Sequence, residues 1–132
     1  MAVDTSVLVD YFRGKETPAT ALLDRLELDD IPLGVPDICC QELLQGARDE
    51  REWGMLKDYL LSQFLLRPAD AVATHVEAAR IFFDARRKGV TLRGPVDCYI
   101  AALVLEGNHT LLHDDEDFER IKSVRPLRTI RG

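Results

Sequence analysis

Apolar residues along this chain fall into short runs, and these runs alternate with longer stretches in which apolar residues recur every third or fourth position. Short apolar runs are typical of strands in a buried sheet, and the longer periodicity is typical of amphipathic helices. Strands are predicted at residues 2–3, 31–35, 64–67, 110–112 and 127–130. Helices are predicted at residues 6–13, 17–28, 37–46, 48–62, 70–88, 96–106 and 115–121.

The alternation of strands and helices predicts the fold class. It is typical of an α/β protein with three layers, α/β/α, in which a central, mostly parallel sheet is covered by helices on both faces. Ligands of such folds bind beyond the carboxyl ends of the strands. The longest predicted helix carries an apolar stripe that we expect to face the core, formed by Val72, Val76, Ala79 and Phe83.

The composition limits the class of protein further. The chain has 132 residues, of which 46% are hydrophobic and 30% are charged. This is the size and mixture of one compact domain, so residues 1–132 are expected to form a single domain. No apolar run approaches the roughly 18 residues of a membrane span, and the first residues lack the basic and apolar regions of a secretory signal. We therefore expect a cytoplasmic protein that does not bind a membrane.

The cysteines and the net charge exclude other kinds of site. Cys39, Cys40 and Cys98 have no Cys or His partner at a zinc-ligand spacing, and core positions explain them. The net charge of −6 argues against binding of nucleic acid through a broad basic surface. The basic run at residues 86–88, with Arg93 nearby, is a local exception. Either a contact with RNA phosphate or a solvated helix end explains it.

Four acidic residues occupy positions where an α/β fold places chemistry. Asp4 comes directly after the first predicted strand, and Asp115 follows the strand at 110–112. Asp97 lies in the first turn of its helix and Glu42 lies on another, each on an apolar stripe that should face the sheet. Each position also has a purely structural explanation, because acids cap helices and are favourable near helix N-termini.

The four acids taken together predict a metal site. Carboxylates gathered in a cleft repel one another, and desolvation increases that cost. Divalent cations relieve both penalties, and oxygen ligands without His or Cys favour Mg²⁺ or Mn²⁺ over zinc. Such ions activate water and stabilise charge on phosphate oxygens. The acids therefore predict hydrolysis of phosphodiester bonds.

Four segments resemble the motifs of one known family. Residues 3–10 read VDTSVLVD, residues 42–46 read ELLQG, residues 97–102 read DCYIAA and residues 111–118 read LLHDDEDF. In this order they resemble the PIN-domain toxins of the VapC family, and the match spans essentially the whole chain. No single segment is specific, and the ordered set carries the resemblance.

The resemblance implies a Rossmann-like α/β/α domain with an acidic quartet that holds the metal and carries the catalysis. That quartet is Asp4, Glu42, Asp97 and Asp115. Family members are typically Mg²⁺- or Mn²⁺-dependent endoribonucleases that a cognate VapB-type antitoxin inhibits, and they usually form homodimers. The hydroxyls of Thr5 and Ser6 match positions that orient the site.

Two positions depart from the family pattern. His113 stands where Thr or Ser is frequent, so the support of Asp115 differs here, and a role for His113 as general base is an open alternative. Asp117 lies close to Asp115 in the sequence, and either acid could be the fourth metal ligand. We assign Asp115 as the ligand and Asp117 as its support.

Other functions and partners are compatible with the same residues. A DNA nuclease or an RNA-processing PIN nuclease would use the same site, and a degenerate PIN-like module would bind RNA or protein without cutting; the presence of all four acids favours a nuclease. The segment 48–66 carries more apolar residues than one helix needs to cover a sheet, which predicts an interface. These residues are Trp53, Met55, Leu56, Tyr59, Leu60, Leu61 and Phe64. We expect RNA, a second copy of the chain and an antitoxin that presents an arginine to the acids as partners.

Overall fold

A computed structural model describes residues 1–131 of the chain. Along these residues, short strands alternate with helices. The strands are β1 (Ala2–Val3), β2 (Gly34–Pro36), β3 (Phe64–Leu66), β4 (Leu111–His113) and β5 (Thr129–Arg131). The helices are α1 (Thr5–Phe12), α2 (Pro18–Leu28), α3 (Asp37–Gln45), α4 (Glu50–Ser62), α5 (Ala71–Arg87), α6 (Pro95–Glu106) and α7 (Glu116–Ile121).

The strands form one parallel sheet in the order β3-β2-β1-β4-β5. Ala2 of β1 pairs with Gly34 of β2 on one side and with Leu111 of β4 on the other. The helices flank this sheet, so the predicted α/β/α fold class is confirmed. Because β1 and β4 are parallel neighbours at the centre, their carboxyl ends open at the same edge, where residues of different loops meet.

Local sequence signals explain where the helices begin and end. Thr17 caps α2 ahead of Pro18, whose fixed φ suits a first helical turn. Asp4 and Asp115 cap α1 and α7, because each side chain accepts a hydrogen bond from a backbone amide of its helix. Gly89, with φ of +76°, ends α5 in a conformation that favours glycine. Both capping acids are therefore held rigidly at the sheet edge.

The strand predicted at 31–35 begins later than expected. The amide of Ile31 still donates to the carbonyl of Leu26 at 2.9 Å, so this segment closes the end of α2. β2 starts only at Gly34, where a Cβ atom would lie 2.8 Å from the side chain of Leu66. Glycine therefore allows the close approach of β2 to β3.

The stripe predicted for α5 is wrong. Val72 is 73% exposed and Val76 is 64% exposed, so this apolar edge faces solvent. The residues of α5 that are buried instead are Thr74, Ala78, Ile81 and Ala85. Thr74, Ala78 and Ala85 have small side chains, which allow α5 to pack closely along α6. The helix thus has two apolar faces, and only one of them is covered.

The stripe predicted for the Asp97 helix is confirmed. Ile100, Ala101 and Val104 are fully buried on α6, between the sheet and α5. This packing fixes the first turn of α6, and with it Asp97, against the edge of the sheet. Within residues 1–131, no helix combines the length and the apolar character needed to cross a membrane.

Candidate active site

The four acids predicted from the sequence line one cleft at the carboxyl ends of β1 and β4. Asp4 directly follows β1, Asp97 lies in the first turn of α6 and Glu42 lies in α3. Asp115 follows β4 as the sequence predicts, with only Asp114 between it and the strand end at His113. The cleft has a volume of about 460 Å³ and opens to solvent.

Asp4 is both a helix cap and a wall of the cleft. Its carboxylate is 4% exposed and accepts hydrogen bonds from the amide and the hydroxyl of Ser6, at 3.1 and 2.6 Å. The Ser6 hydroxyl oxygen in turn accepts the amide hydrogen of Asp114 at 3.0 Å. Burial raises the pKa of Asp4, although the hydrogen bonds from Ser6 oppose that effect. Ser6, which was predicted to orient the site, therefore ties the first turn of α1 to the loop after β4.

Glu42 is oriented by the second predicted hydroxyl. Thr5 donates to Oε1 of Glu42 at 2.9 Å. The buried thiol of Cys39 is a neighbour that the sequence did not indicate: its sulfur and one oxygen each of Asp4 and Glu42 lie within 4.8 Å of one another. Burial holds the pKa of this thiol well above its usual value, so the sulfur remains protonated and weakly coordinating at neutral pH. We therefore count Cys39 as part of the wall.

Asp97 experiences a large electrostatic penalty in the cleft. Burial and the neighbouring carboxylates of Asp115, Asp4, Asp117 and Glu42 raise the pKa of Asp97 to about 8. In the absence of a cation, this side chain is thus largely protonated at neutral pH. A cation in the cleft would favour its ionised form.

Asp117 is a buried anchor. Its side chain is fully buried and accepts hydrogen bonds from the Arg93 amide at 2.9 Å and from the Arg120 guanidinium at 2.8 Å. Burial raises the pKa of Asp117, but these hydrogen bonds outweigh it and the pKa is lowered overall. With both oxygens engaged, Asp117 is better suited to hold the loop than to bind a metal.

Asp115 retains one available oxygen. Its Oδ1 accepts the amide hydrogen of Asp117 at 2.9 Å and pairs with the guanidinium of Arg93. Among residues 1–131, no hydrogen-bond donor reaches its Oδ2. This contrast between Asp115 and Asp117 supports the assignment of Asp115 as the ligand, which stays a prediction.

His113 supports the backbone of the acidic loop. The ring is fully buried beside Phe118, and Nδ1 accepts the amide hydrogen of Asp115 at 3.0 Å. Nδ1 is therefore unprotonated and Nε2 carries the hydrogen, 3.5 Å from Oε1 of Glu119. Burial lowers the pKa of His113, which keeps the ring neutral. These contacts favour a structural role for His113 over the alternative of a general base.

The acidic side chains form two neighbouring groups, each of which could hold a metal ion, and the predicted quartet takes two acids from each. Oxygens of Asp97, Asp115 and Asp117 lie within 4.8 Å of one another, beside the group formed by Asp4, Cys39 and Glu42. Within the described residues, no Lys or Arg forms an ion pair with Asp4, Glu42 or Asp97. Desolvated carboxylates without a cationic partner are costly, and a divalent ion with oxygen ligands removes that cost.

Two apolar surfaces adjoin the cleft. The first, the α5 surface, is a groove of about 890 Å³ between α3, α5 and α6, bordered by the exposed ridge of Val72 and Val76. Its apolar lining includes Ile38, Ala79, Phe82, Pro95 and Val96.

The second, the α4 surface, carries exposed apolar residues on α4 and β3. It agrees with the excess of apolar residues that the sequence shows in segment 48–66. These residues are Trp53, Met55, Leu61 and Phe64, between 44% and 70% exposed.

Comparisons with known proteins agree with this geometry. The profile of the PIN domain matches residues 1–124. A VapC ribonuclease of Mycobacterium bovis and the ribonuclease VapC11 of Mycobacterium tuberculosis are each 32% identical over 127 residues, which cover 96% of this chain and 94% of the relative.

Solved structures share the fold. One is VapBC-1 from nontypeable Haemophilus influenzae, with a TM-score of 0.75 and 17% identity over 98% of this chain and 96% of that one. Another is DNA-bound VapBC from Salmonella typhimurium, with a TM-score of 0.73 and 18% identity over the same shares of the two chains, 98% and 96%. The chain belongs to the PIN-domain family and, within it, to the VapC-type ribonucleases.

Proposed function

We propose that the chain is a Mg²⁺- or Mn²⁺-dependent endoribonuclease and the toxin of a VapBC-type toxin–antitoxin pair, with residues 1–132 acting as one catalytic domain in the cytoplasm. The observation that carries the proposal is the convergence of Asp4, Glu42, Asp97 and Asp115 on one cleft without a paired cation at three of them. The names of the curated relatives supply the substrate class, RNA.

The chain's own residues hold the reacting groups in place. Asp4, Glu42, Asp97 and Asp115 would bind the cation, while Thr5 and Ser6 keep two of these acids in fixed orientations. When bound, a divalent ion lowers the pKa of the attacking water and offsets the charge that develops on the phosphate oxygens. Asp97 would be ionised in the loaded site and would add its negative charge to the lining of the cleft.

A basic end of α5 supports RNA as the substrate. The guanidinium groups of Arg80, Arg86 and Arg87 lie 4.9, 5.9 and 5.7 Å from the ring centre of Phe83. Because α5 and α6 pack along each other and α6 begins at the cleft, this basic end offers phosphate contacts beside an aromatic ring. An otherwise acidic protein thus has one local surface suited to a polyanion.

The decisive experiment measures RNA cleavage by the wild-type chain and by Asp97→Asn, with Mn²⁺ and with excess EDTA. We expect cleavage to fall by at least about 100-fold in the variant and to stop in EDTA, because both changes remove the loaded site. The matched control is Asp58→Asn, an identical change at an exposed position on α4. Undiminished cleavage by folded Asp97→Asn, or by the wild type in EDTA, contradicts the proposal.

We further propose two protein partners on the two apolar surfaces. A homodimer would form through the α5 surface. Its ridge and its groove lie side by side, so in a two-fold arrangement the ridge of each copy would enter the groove of the other. An antitoxin would cover the α4 surface, since a shallow depression leads from Met55 to Glu42 in the cleft. An arginine of the antitoxin that follows this path would pair with the acids.

A further inference from the structure

Arg93 is the cation of this chain that lies closest to the predicted metal ligands. Its guanidinium pairs with Oδ1 of Asp115, and its Nε lies 3.7 Å from Oδ2 of Asp117. The backbone of Arg93 is fixed by its amide, which donates to the same oxygen of Asp117 at 2.9 Å. The side chain beyond is 68% exposed. Arg93 therefore combines a fixed backbone with an exposed side chain that can move away from Asp115.

Arg120 is a useful contrast, since it binds the same acidic loop in a different way. Its guanidinium contacts Asp117, which is fully buried, and it makes no ion pair with Asp115 within the described residues. Arg93 instead contacts the carboxylate of Asp115, which lines the cleft and which we propose as a metal ligand. Of the two arginines, only Arg93 stands in competition with a cation.

We propose that Arg93 is an exchangeable counter-ion of the acidic cleft: it pairs with Asp115 in the metal-free chain and is displaced from that carboxylate when a divalent cation binds. This inference rests on the proposed metal-dependent function and adds a role for a residue outside the acidic quartet. It requires no change in the backbone, because the amide of Arg93 stays bound to Asp117 while the side chain moves.

The electrostatics of the cleft favour this exchange. A guanidinium and a divalent ion on one carboxylate repel each other, and the guanidinium is the partner with access to water. The exposed pair contributes little stability of its own, so releasing it costs little. Once released, the guanidinium remains at the mouth of the cleft, where an RNA phosphate would arrive. The pair thus compensates the charge of Asp115 through Oδ1 until a metal at the free Oδ2 takes over that role.

The first test compares Mn²⁺ affinity by calorimetry for the wild type, Arg93→Gln and Arg25→Gln. Arg25 is exposed on α2, forms no ion pair with residues 1–131 and matches the change in net charge. We expect the Kd for Mn²⁺ to fall about three- to tenfold in Arg93→Gln, because the competitor is gone, and by less than about twofold in Arg25→Gln. An unchanged or weakened affinity in Arg93→Gln overturns the inference and makes Arg93 a fixed support of Asp115.

The second test follows the wild-type chain and uses a variant only to assign one signal. The guanidinium Nη–H signal of Arg93, the group that pairs with Asp115, is assigned by its loss in Arg93→Gln and followed by ¹⁵N NMR during titration of the wild type with Mg²⁺. Displacement predicts that this signal shifts and exchanges faster with water as the site fills, while the Arg120 signal changes little. A signal of Arg93 that stays protected at saturation contradicts displacement. If the wild type binds neither Mn²⁺ nor Mg²⁺, the proposed function itself fails, which is a different result.

Discussion

The hydroxyl of Ser6 donates to the carboxylate of Asp4 at 2.6 Å and simultaneously accepts the amide hydrogen of Asp114. The side chain of Ser6 thus connects the residues that follow the central strand β1 and its neighbour β4. Asp4 has two opposing effects on stability as a result. Its hydrogen bonds stabilise α1 and the loop, while its buried charge next to Glu42 destabilises the metal-free fold.

Two substitutions of Asp4 distinguish the effect of its hydrogen bonds on stability from the effect of its charge. Asp4→Asn keeps an oxygen that can accept from Ser6 and removes the charge, so we expect the metal-free chain to be as stable as the wild type or more so. Asp4→Ala removes the cap as well and should be less stable than Asp4→Asn by about 1 kcal/mol. Thermal melts without metal measure this difference.

Addition of Mn²⁺ tests whether Asp4 is a metal ligand in addition to a helix cap. The wild type should be stabilised by Mn²⁺, and both variants should lose most of that stabilisation, because binding to the native state alone raises the melting temperature. If Mn²⁺ stabilises Asp4→Asn as strongly as the wild type, then Asp4 is chiefly a helix cap and not a metal ligand.

The raised pKa of Asp97, about 8, predicts how stability and metal affinity depend on pH. In the unfolded chain Asp97 titrates at its ordinary acidic pKa, so between that value and about 8 the metal-free native state holds one more proton than the unfolded state. Stability of the metal-free chain should therefore decrease as pH rises through this window and level off above it. Asp97→Asn should remove that part of the decrease.

Metal binding has the opposite pH dependence. The cation binds the ionised carboxylate, so Mn²⁺ affinity should increase with pH up to about 8, and binding should release a proton from Asp97 at neutral pH. Calorimetry in two buffers with different ionisation enthalpies measures the proton count. No proton release at pH 7 by the wild type, or equal release by Asp97→Asn, would contradict the account of Asp97.

The sequence predicts the acids of this site better than the surfaces around them. Asp4 and Asp97 were correctly placed because their positions depend on strand ends and on one helical stripe, which are local patterns. The stripe of α5 was wrong because Val72 and Val76 have the same periodicity as the buried Ala78 and Ile81. Periodicity alone does not decide which of two apolar faces meets the sheet.

Contacts between distant segments were beyond what the sequence pattern could predict. Arg93 was noted for its charge and its position near Asp97, but its pairing with Asp115 depends on how α6 and α7 meet. The same holds for Cys39: its sequence context predicts a core position, and the fold places its thiol beside Asp4. Both residues required the three-dimensional arrangement of separate elements.

The last prediction tests which apolar surface binds which partner, by introducing one glutamate on the α5 surface and one on the α4 surface. Val76→Glu, on the ridge of the α5 surface, should convert a dimer of the isolated chain into a monomer, because it buries an unpaired carboxylate in a two-fold interface. Leu61→Glu, on the α4 surface, is the matched change, since Leu61 is 67% and Val76 is 64% exposed. It should leave the dimer intact and weaken binding of the antitoxin.

Light scattering of the three isolated chains at micromolar concentration measures the first effect. Co-purification with a co-expressed VapB-type antitoxin measures the second, and an antitoxin truncated at its C-terminal segment should fail to inhibit RNA cleavage. Because both positions are solvent-exposed in the monomer, neither glutamate should lower the melting temperature of a monomeric chain appreciably. A wild-type chain that is monomeric at this concentration contradicts the dimer. A dimer lost in Leu61→Glu but kept in Val76→Glu would instead assign the α4 surface, the segment singled out by its sequence, to the second copy.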